Sequence, residues 1–250
     1  MVMLETIKRA VEAILPARLA RAIRSYLVER RFRQFDGLPT DQLFSKVYSS
    51  GVWGKSGDAF FSGAGSRDSA VLDYIVAVEG FLKSLDRKPD VVDLGCGDFF
   101  VGSQIRPLCA GYTACDIVPA LIAFNKQKFG DLDVDFRALN IVTDDLPDGD
   151  VAIVRQVLQH LSNQQIASAL QKISAKYRYL ILTEHLPRRG DFRPNVDQAA
   201  GPGIRARVKS GVVITAPPFN FKAKDTRRLC EMDEAGETGG LIVTTLYTLA

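Results

Sequence analysis

The chain has 250 residues, 46% apolar and 24% charged, with a formal net charge of +3. That composition suits one sizeable α/β domain with appendages. It holds no run near the ~18 apolar residues of a membrane span, and its four cysteines form no CxxC pair, which argues against zinc and a disulfide framework and makes a reducing cytoplasm the expected compartment.

The opening segment carries acids early and has no uninterrupted apolar core, so a secretory signal is not expected. Leu4, Ile7, Val11 and Ile14 fall on one helical stripe, and Pro16 breaks it. A second helix is expected from Ala17 to about Arg33, with Leu19, Ile23 and Leu27 on one face and Arg18, Arg21 and Arg24 around them. Residues 1–35 hold eight Lys/Arg and three Glu, so the basic excess sits in this segment and the remainder is slightly acidic. Two readings stand for it: a helical cap, or a basic amphipathic segment in peripheral contact with an anionic membrane face. A body without basic excess argues against a nucleic-acid partner. The boundary is expected at 45/46, with one domain over 46–250.

Next comes "KVYSSGVWGKSGDAFFSGAGS", which is Gly- and Ser-rich and contains the single Trp. Ser66 is expected to cap a helix whose inner face carries Val71, Ile75, Val78 and Leu82. From Asp90 strands and helices alternate. "DVVDLG", "GYTACD", "DVDFRAL", "DVAIVRQ" and "RYLILTEH" read as strands, with helices over about 101–108, 119–129 and 163–175 between them. The expected fold is α/β: a Rossmann-like, doubly wound, mostly parallel seven-stranded sheet, with N-terminal helices and a C-terminal antiparallel hairpin made by "TRRLCEMDE" and "LIVTTLYTL". The irregular, proline-rich stretch 185–222 is expected to cover the substrate.

In "VVDLGCGDFFVG" a strand ends at Asp93 and gives way to Gly95 and Gly97. Glycine permits a tight turn and close approach of a ligand to the backbone. A dinucleotide fingerprint would need Gly or Ala where Phe100 stands, and Asp98 would repel a diphosphate. A cationic sulfonium ligand would instead be favoured by acids here. The segment resembles motif I of the class I S-adenosylmethionine-dependent methyltransferases, and the resemblance runs through four motifs in order from Asp90 to Glu184. It implies S-adenosylmethionine as cofactor, with Asp93, Gly95, Cys96, Gly97 and Asp98 around it. Asp116, 23 residues after Asp93, would accept the ribose hydroxyls, with Ile117 beside it; the alternative is a helix-capping acid. Asn140 and Ile141 would hold the adenine, or else form a turn beside the core. Arg155, Gln156 and Val157 would pass the methionine portion. "VYSSGVWG…SGAGS", "CDIVPALIAFNKQKFG" and "APPFNF" are similar to a bacterial subgroup that modifies sugars or small metabolites. In that pattern Ser62, Gly63, Gly65 and Ser66 are candidate contacts.

An alkylating donor needs an acceptor aligned in line, water excluded, and a base for a hydroxyl acceptor. The only two histidines, His160 and His185, fall just past strand ends, and Glu184 is a candidate partner of His185; loop-fixing hydrogen bonds are the alternative for both histidines. Glu184, Asp191 and Asp197 carry hard oxygens, but their spacing is unspecific and no metal site is expected. Arg188, Arg189, Arg193, Arg205 and Arg207 are either solvated or recognise an anionic acceptor. The expected activity is methyl transfer to a hydroxyl of a small molecule or saccharide. A protein or RNA methyltransferase and a cofactor-binding scaffold are the alternatives.

Overall fold

The computed structural model describes residues 19, 30, 32–55, 57–67, 70–188, 192–234 and 240–249. The chain divides into two units, Met1–Leu38 and Pro39–Ala250. In the first, a single 3-10 turn, Arg33–Phe35, is described, with Phe32 and Phe35 edge to face at 6.4 Å. The two expected N-terminal helices otherwise lie outside the described residues. No helix among the described residues is long and apolar enough to cross a membrane.

The second unit begins with helix α1 (Thr40–Ser49), which buries Leu43, Phe44 and Val47 and spans the 45/46 boundary expected from sequence. Helix α2 (Ala70–Lys83) follows. Its inner face centres on Tyr74, Val78 and Phe81, with Val71 and Leu82 also buried, while Ile75 is only half-buried. Three of the four expected residues are thus buried, and Tyr74 and Phe81 join them.

Seven strands form the main sheet. They are β1 (Val91–Leu94), β2 (Tyr112–Asp116), β3 (Asp135–Ala138), β4 (Val151–Arg155), β5 (Tyr179–Leu186), β8 (Asp225–Asp233) and β9 (Leu241–Thr248). Two-residue strands β6 (Arg193–Pro194) and β7 (Ser210–Gly211) pair separately, inside the stretch after β5. The main order is β3-β2-β1-β4-β5-β9-β8. All pairings from β3 to β5 are parallel, and β9 runs antiparallel to both β5 and β8. The central strands read as continuous apolar runs because both faces are covered: β1 and four of the five residues of β4 are buried.

The chain leaves β1 outward to β2 and β3, then crosses back to β4 on the other side. That reversal opens a crevice at the carboxyl ends of β1 and β4, where open α/β sheets bind ligands. Helices α3 (Phe100–Ile105), α4 (Pro119–Lys128) and α5 (Asn163–Lys176) make the crossovers. Two local devices fix this edge. Ser162 and Gln165 form a reciprocal capping box at α5, worth about 1 kcal/mol. Phe99 takes a left-handed conformation (φ 58°) between the glycine turn and α3. Its ring is fully buried, edge to face with Tyr112, Phe129 and Phe136 at 4.9–5.5 Å. Burying a phenyl ring is worth ~1.5–3 kcal/mol, enough to offset the ~1–3 kcal/mol of strain.

Candidate cofactor and active site

A cavity of about 540 Å³ opens over the carboxyl ends of β1, β2 and β4. Its floor is the turn after β1. Gly95 and Gly97 hold φ of 91° and 56°. A Cβ on Gly95 would meet the Val157 side chain, and one on Gly97 would meet the Ser62 hydroxyl. Both glycines are therefore demanded by space as well as by backbone angle.

Asp116 ends β2 at the side of this turn. Its Oδ2 accepts the Gly97 amide at 3.1 Å and its Oδ1 the Val118 amide at 3.1 Å. It therefore fixes the turn into α4, as the helix-capping reading expects. Each oxygen keeps a further lone pair for a ligand hydroxyl. Asn125, from α4, donates to the Gly97 carbonyl at 2.8 Å, and its own Oδ1 is buried with no protein partner. Asn125 was not apparent from the sequence; it lies within a helix whose apolar spacing attracts the eye instead.

Asp98 is buried and consumed by the loop before α2. Its carboxylate accepts the Ser62 amide at 2.9 Å and both terminal nitrogens of Arg67 at 3.1–3.3 Å, while its own amide donates to the Ser62 hydroxyl at 2.7 Å. Arg67 in turn lies 3.9 Å over the Phe100 ring. Ser66 donates to the Gly63 carbonyl at 2.7 Å and accepts from Arg67 at 2.9 Å. The segment 62–67 is thus fastened over the glycine turn, which brings Ser62, Gly63, Gly65 and Ser66 to the cavity wall beside Cys96. Arg67 is a second residue missed in sequence.

Ile117, Asn140 and Ile141 form the opposite wall. Asn140 Oδ1 accepts the Val142 amide at 2.9 Å and its backbone amide donates to Asp144 at 2.9 Å. From β4, Arg155 donates to the Gly65 carbonyl at 2.6 Å and lies 5.1 Å over Tyr74, with its Nε buried and without a protein partner. Gln156 takes a left-handed φ of 56°, an uncommon conformation that often marks functional sites.

Burial raises three acids here. Asp93, which accepts the Tyr112 hydroxyl at 3.0 Å, is pushed up to about 7; Asp116 is raised to about 6. Glu184 is raised to about 8. In the ligand-free protein, Asp93 and Asp116 hold protons that the unfolded chain would release. Stability should therefore fall as pH rises from about 4 to 7, a trend that thermal melts across this range will show.

The two histidines occupy different places. His160 ends a 3-10 turn (Leu158–His160) after β4. Its Nδ1 lies 3.2 Å from the Gly201 carbonyl, and its ring lies among Trp53 (5.1 Å) and Phe44 (6.2 Å). Burial lowers it to about 4, against the opposing pull of the Gly201 and Gly203 carbonyls, so the ring is neutral at pH 7. A carbonyl can only accept, so the ring nitrogen bonded to one carries a hydrogen. His185 also lines the cavity, and its Nε2 lies 3.1 Å from Glu234, not Glu184. Neighbouring residues of a strand point to opposite faces. Glu184 accordingly leaves the cavity and accepts the Leu158 amide at 3.1 Å on the other side.

The stretch after β5 roofs the cavity with Pro202, Ile204 and Arg207. Trp53 donates to the Pro202 carbonyl at 3.2 Å, Gln198 to the Gln159 carbonyl at 2.8 Å, and the Gly201 amide to His160 at 3.0 Å. Of the arginines expected to face an anion, Arg205 is fully buried and spent on backbone carbonyls, and Arg188 pairs with Asp233. Arg193 is exposed, and Arg189 lies outside the described residues. Among the described residues no group of three His, Cys, Asp or Glu side chains is arranged to hold a metal ion; Asp197 instead accepts the Asn163 amide at 2.8 Å.

Residues 92–177 match the family model of a methyltransferase domain. No curated protein sequence matches the chain. Among solved structures, the N-methyltransferase NodS from Bradyrhizobium japonicum WM9, in complex with S-adenosyl-L-homocysteine, superposes with a TM-score of 0.50 at 13% identity, covering 72% of this chain and 87% of NodS. Magnesium protoporphyrin IX methyltransferase from Synechocystis PCC 6803, with bound S-adenosylmethionine, gives 0.53 at 13% identity, over 85% and 99%. The N-terminal domain of EvdMO1, solved in the presence of S-adenosylhomocysteine and D-fucose, gives 0.53 at 12% identity, over 83% and 94%. The domain match and the strand order with its single reversed strand agree: residues 92–177 match a methyltransferase domain, and the chain has the fold of solved methyltransferases that carry S-adenosylmethionine or S-adenosylhomocysteine.

Proposed function

We propose that the chain transfers the methyl group of S-adenosylmethionine to a hydroxyl of a small molecule or saccharide. The observation that carries this reading is Asp116: a buried carboxylate at the tip of β2, hydrogen-bonded to the glycine turn, and facing a cavity that closes under a roof. The residues present fit the cofactor. Asp116 offers acceptors for ribose hydroxyls, Asn140 and Ile141 flank a flat base, and the glycine turn admits close backbone approach. When bound, the cofactor supplies an electrophilic methyl on a cationic sulfur. The chain's own work is to align the acceptor, exclude water and take a proton.

Three features support a small acceptor. The described roof is laced to the His160 turn and to Trp53, which favours an enclosed ligand over a macromolecule. Phe44, Tyr48 and Trp53 line the cavity beside His160, giving apolar walls suited to the faces of a sugar or other small ring. One structural relative was solved in the presence of D-fucose. Neutral His160 is the proposed acceptor of the hydroxyl proton. The region 185–222 serves as the substrate cover, and Arg207 at its underside is the proposed contact for an anionic substituent.

Incubation of the purified chain with S-adenosylmethionine labelled in its methyl group, in extracts separated into metabolite, glycan, RNA and protein fractions, tests the acceptor. Label is expected in the metabolite or glycan fraction; label confined to protein or RNA would overturn the acceptor class. Cofactor affinity carries a second expectation. Ribose hydroxyls and a cationic sulfur both favour ionised Asp93 and Asp116, so binding should strengthen as pH rises from 5 to 8. The gain should be larger for S-adenosylmethionine than for S-adenosylhomocysteine, which lacks the charge. Calorimetry at pH 5, 6.5 and 8 measures this; equal pH profiles would remove the two acids from the cationic end.

A further inference from the structure

The His160 turn is held at both ends by buried polar side chains that do not reach the cavity. At its start, Glu184 Oε1 accepts the Leu158 amide at 3.1 Å from the far face of β5. At its finish, Arg205 donates through one terminal nitrogen to the Leu161 carbonyl at 2.7 Å, and through the other to the Val196 carbonyl. Both side chains are essentially inaccessible, at 3% and 0% exposure. Neither lines the cavity that holds the glycine turn. We propose that Glu184 and Arg205 are positioning residues: together they set the His160 turn from beneath and lock it to the roof above.

A neutral side chain could satisfy one amide at less desolvation cost, since burying ions is expensive unless geometry is exact. The guanidinium offers something a neutral group does not, a rigid fork that holds two carbonyls at fixed spacing. Those carbonyls belong to different segments, Leu161 on the turn and Val196 on the roof. The roof therefore cannot lift without stripping partners from Arg205. Burial raises Glu184 and lowers Arg205, and the attraction between the two groups only partly opposes that burial. Glu184 Oε2 and Arg205 Nε are each buried without a protein partner. This assignment does not depend on the identity of cofactor or acceptor.

Its test uses the ligand-free full-length protein and reads His160 itself. With only two histidines, the His160 imidazole can be followed by NMR through a pH titration, and its depressed titration reports how tightly turn and roof enclose it. Arg205→Lys keeps the charge but loses the fork. It should raise the His160 titration by about one unit or more, a tenfold change in protonation, and shift Trp53 fluorescence to the red. Glu184→Gln keeps an accepting oxygen and should leave both readings near those of the unaltered protein. A folded Arg205→Lys protein with an unchanged His160 titration would overturn the proposal. Should that variant not fold, hydrogen exchange in the unaltered protein decides: the Leu158 amide is expected to exchange as slowly as amides within β4, and exchange at the rate of an exposed loop would equally overturn it.

Discussion

Asp116→Ala should weaken S-adenosylhomocysteine binding by about 1–3 kcal/mol, roughly 5- to 150-fold. The carboxylate would be the acceptor for ribose hydroxyls, and hydrogen bonds to a charged group are the stronger kind. The substitution also orphans the Gly97 and Val118 amides, which Asp116 now satisfies at 3.1 Å each. The melting temperature should therefore fall as well, and the affinity must be measured by calorimetry on protein shown to be folded at the temperature used. Asp116→Asn, which keeps one accepting oxygen, should lie between. Unchanged affinity in Asp116→Ala would remove this residue from the cofactor site.

Gly97→Ala should be nearly as damaging, by a different route. The backbone sits at φ 56°, and the new Cβ would fall on the Ser62 hydroxyl. That hydroxyl accepts the Asp98 amide at 2.7 Å and shares a hydrogen bond with Tyr48 at 3.1 Å. Strain and crowding together should cost about 1–3 kcal/mol of stability, and the opened seam between turn and loop should reduce cofactor affinity more than about tenfold. Gly130→Ala is the control, since nothing lies within 4 Å of its Cβ position. It should melt within about 1 °C of the unaltered protein, a stability change well below 0.5 kcal/mol. Equal melting and equal affinity for the two variants would refute the crowding at Gly97.

Local features of this fold were legible because each answers to a local rule. Strands alternating with helices, glycines after an apolar run, and an acid at the next strand end need no knowledge of the third dimension. The start of α5 fell at Asn163 as expected, where the capping box begins the helix, and only its far end ran one residue further, to Lys176. The face of α2 held at Val71, Val78 and Leu82, but Tyr74, an aromatic with a polar tip, was not counted as core, although its hydroxyl is buried.

The site was less legible where partners are distant in sequence. His185 meets Glu234 from the end of β8, and the adjacent Glu184 was the tempting partner. Strand alternation alone argues against that adjacency. Arg205 read as one cation of a cluster either solvated or facing an anion, yet it is fully buried, because two carbonyls from separate segments converge on it. Arg67 and Asn125 act through long-range contacts with Asp98 and Gly97, which no spacing in the chain announces.

A crystal structure of the full chain with S-adenosylhomocysteine tests the placement of the donor most directly. The ribose hydroxyls should lie within hydrogen-bonding distance of the Asp116 carboxylate, with the adenine against Asn140 and Ile141. Adenosine density elsewhere, with Asp116 still bonded only to Gly97 and Val118, would contradict it.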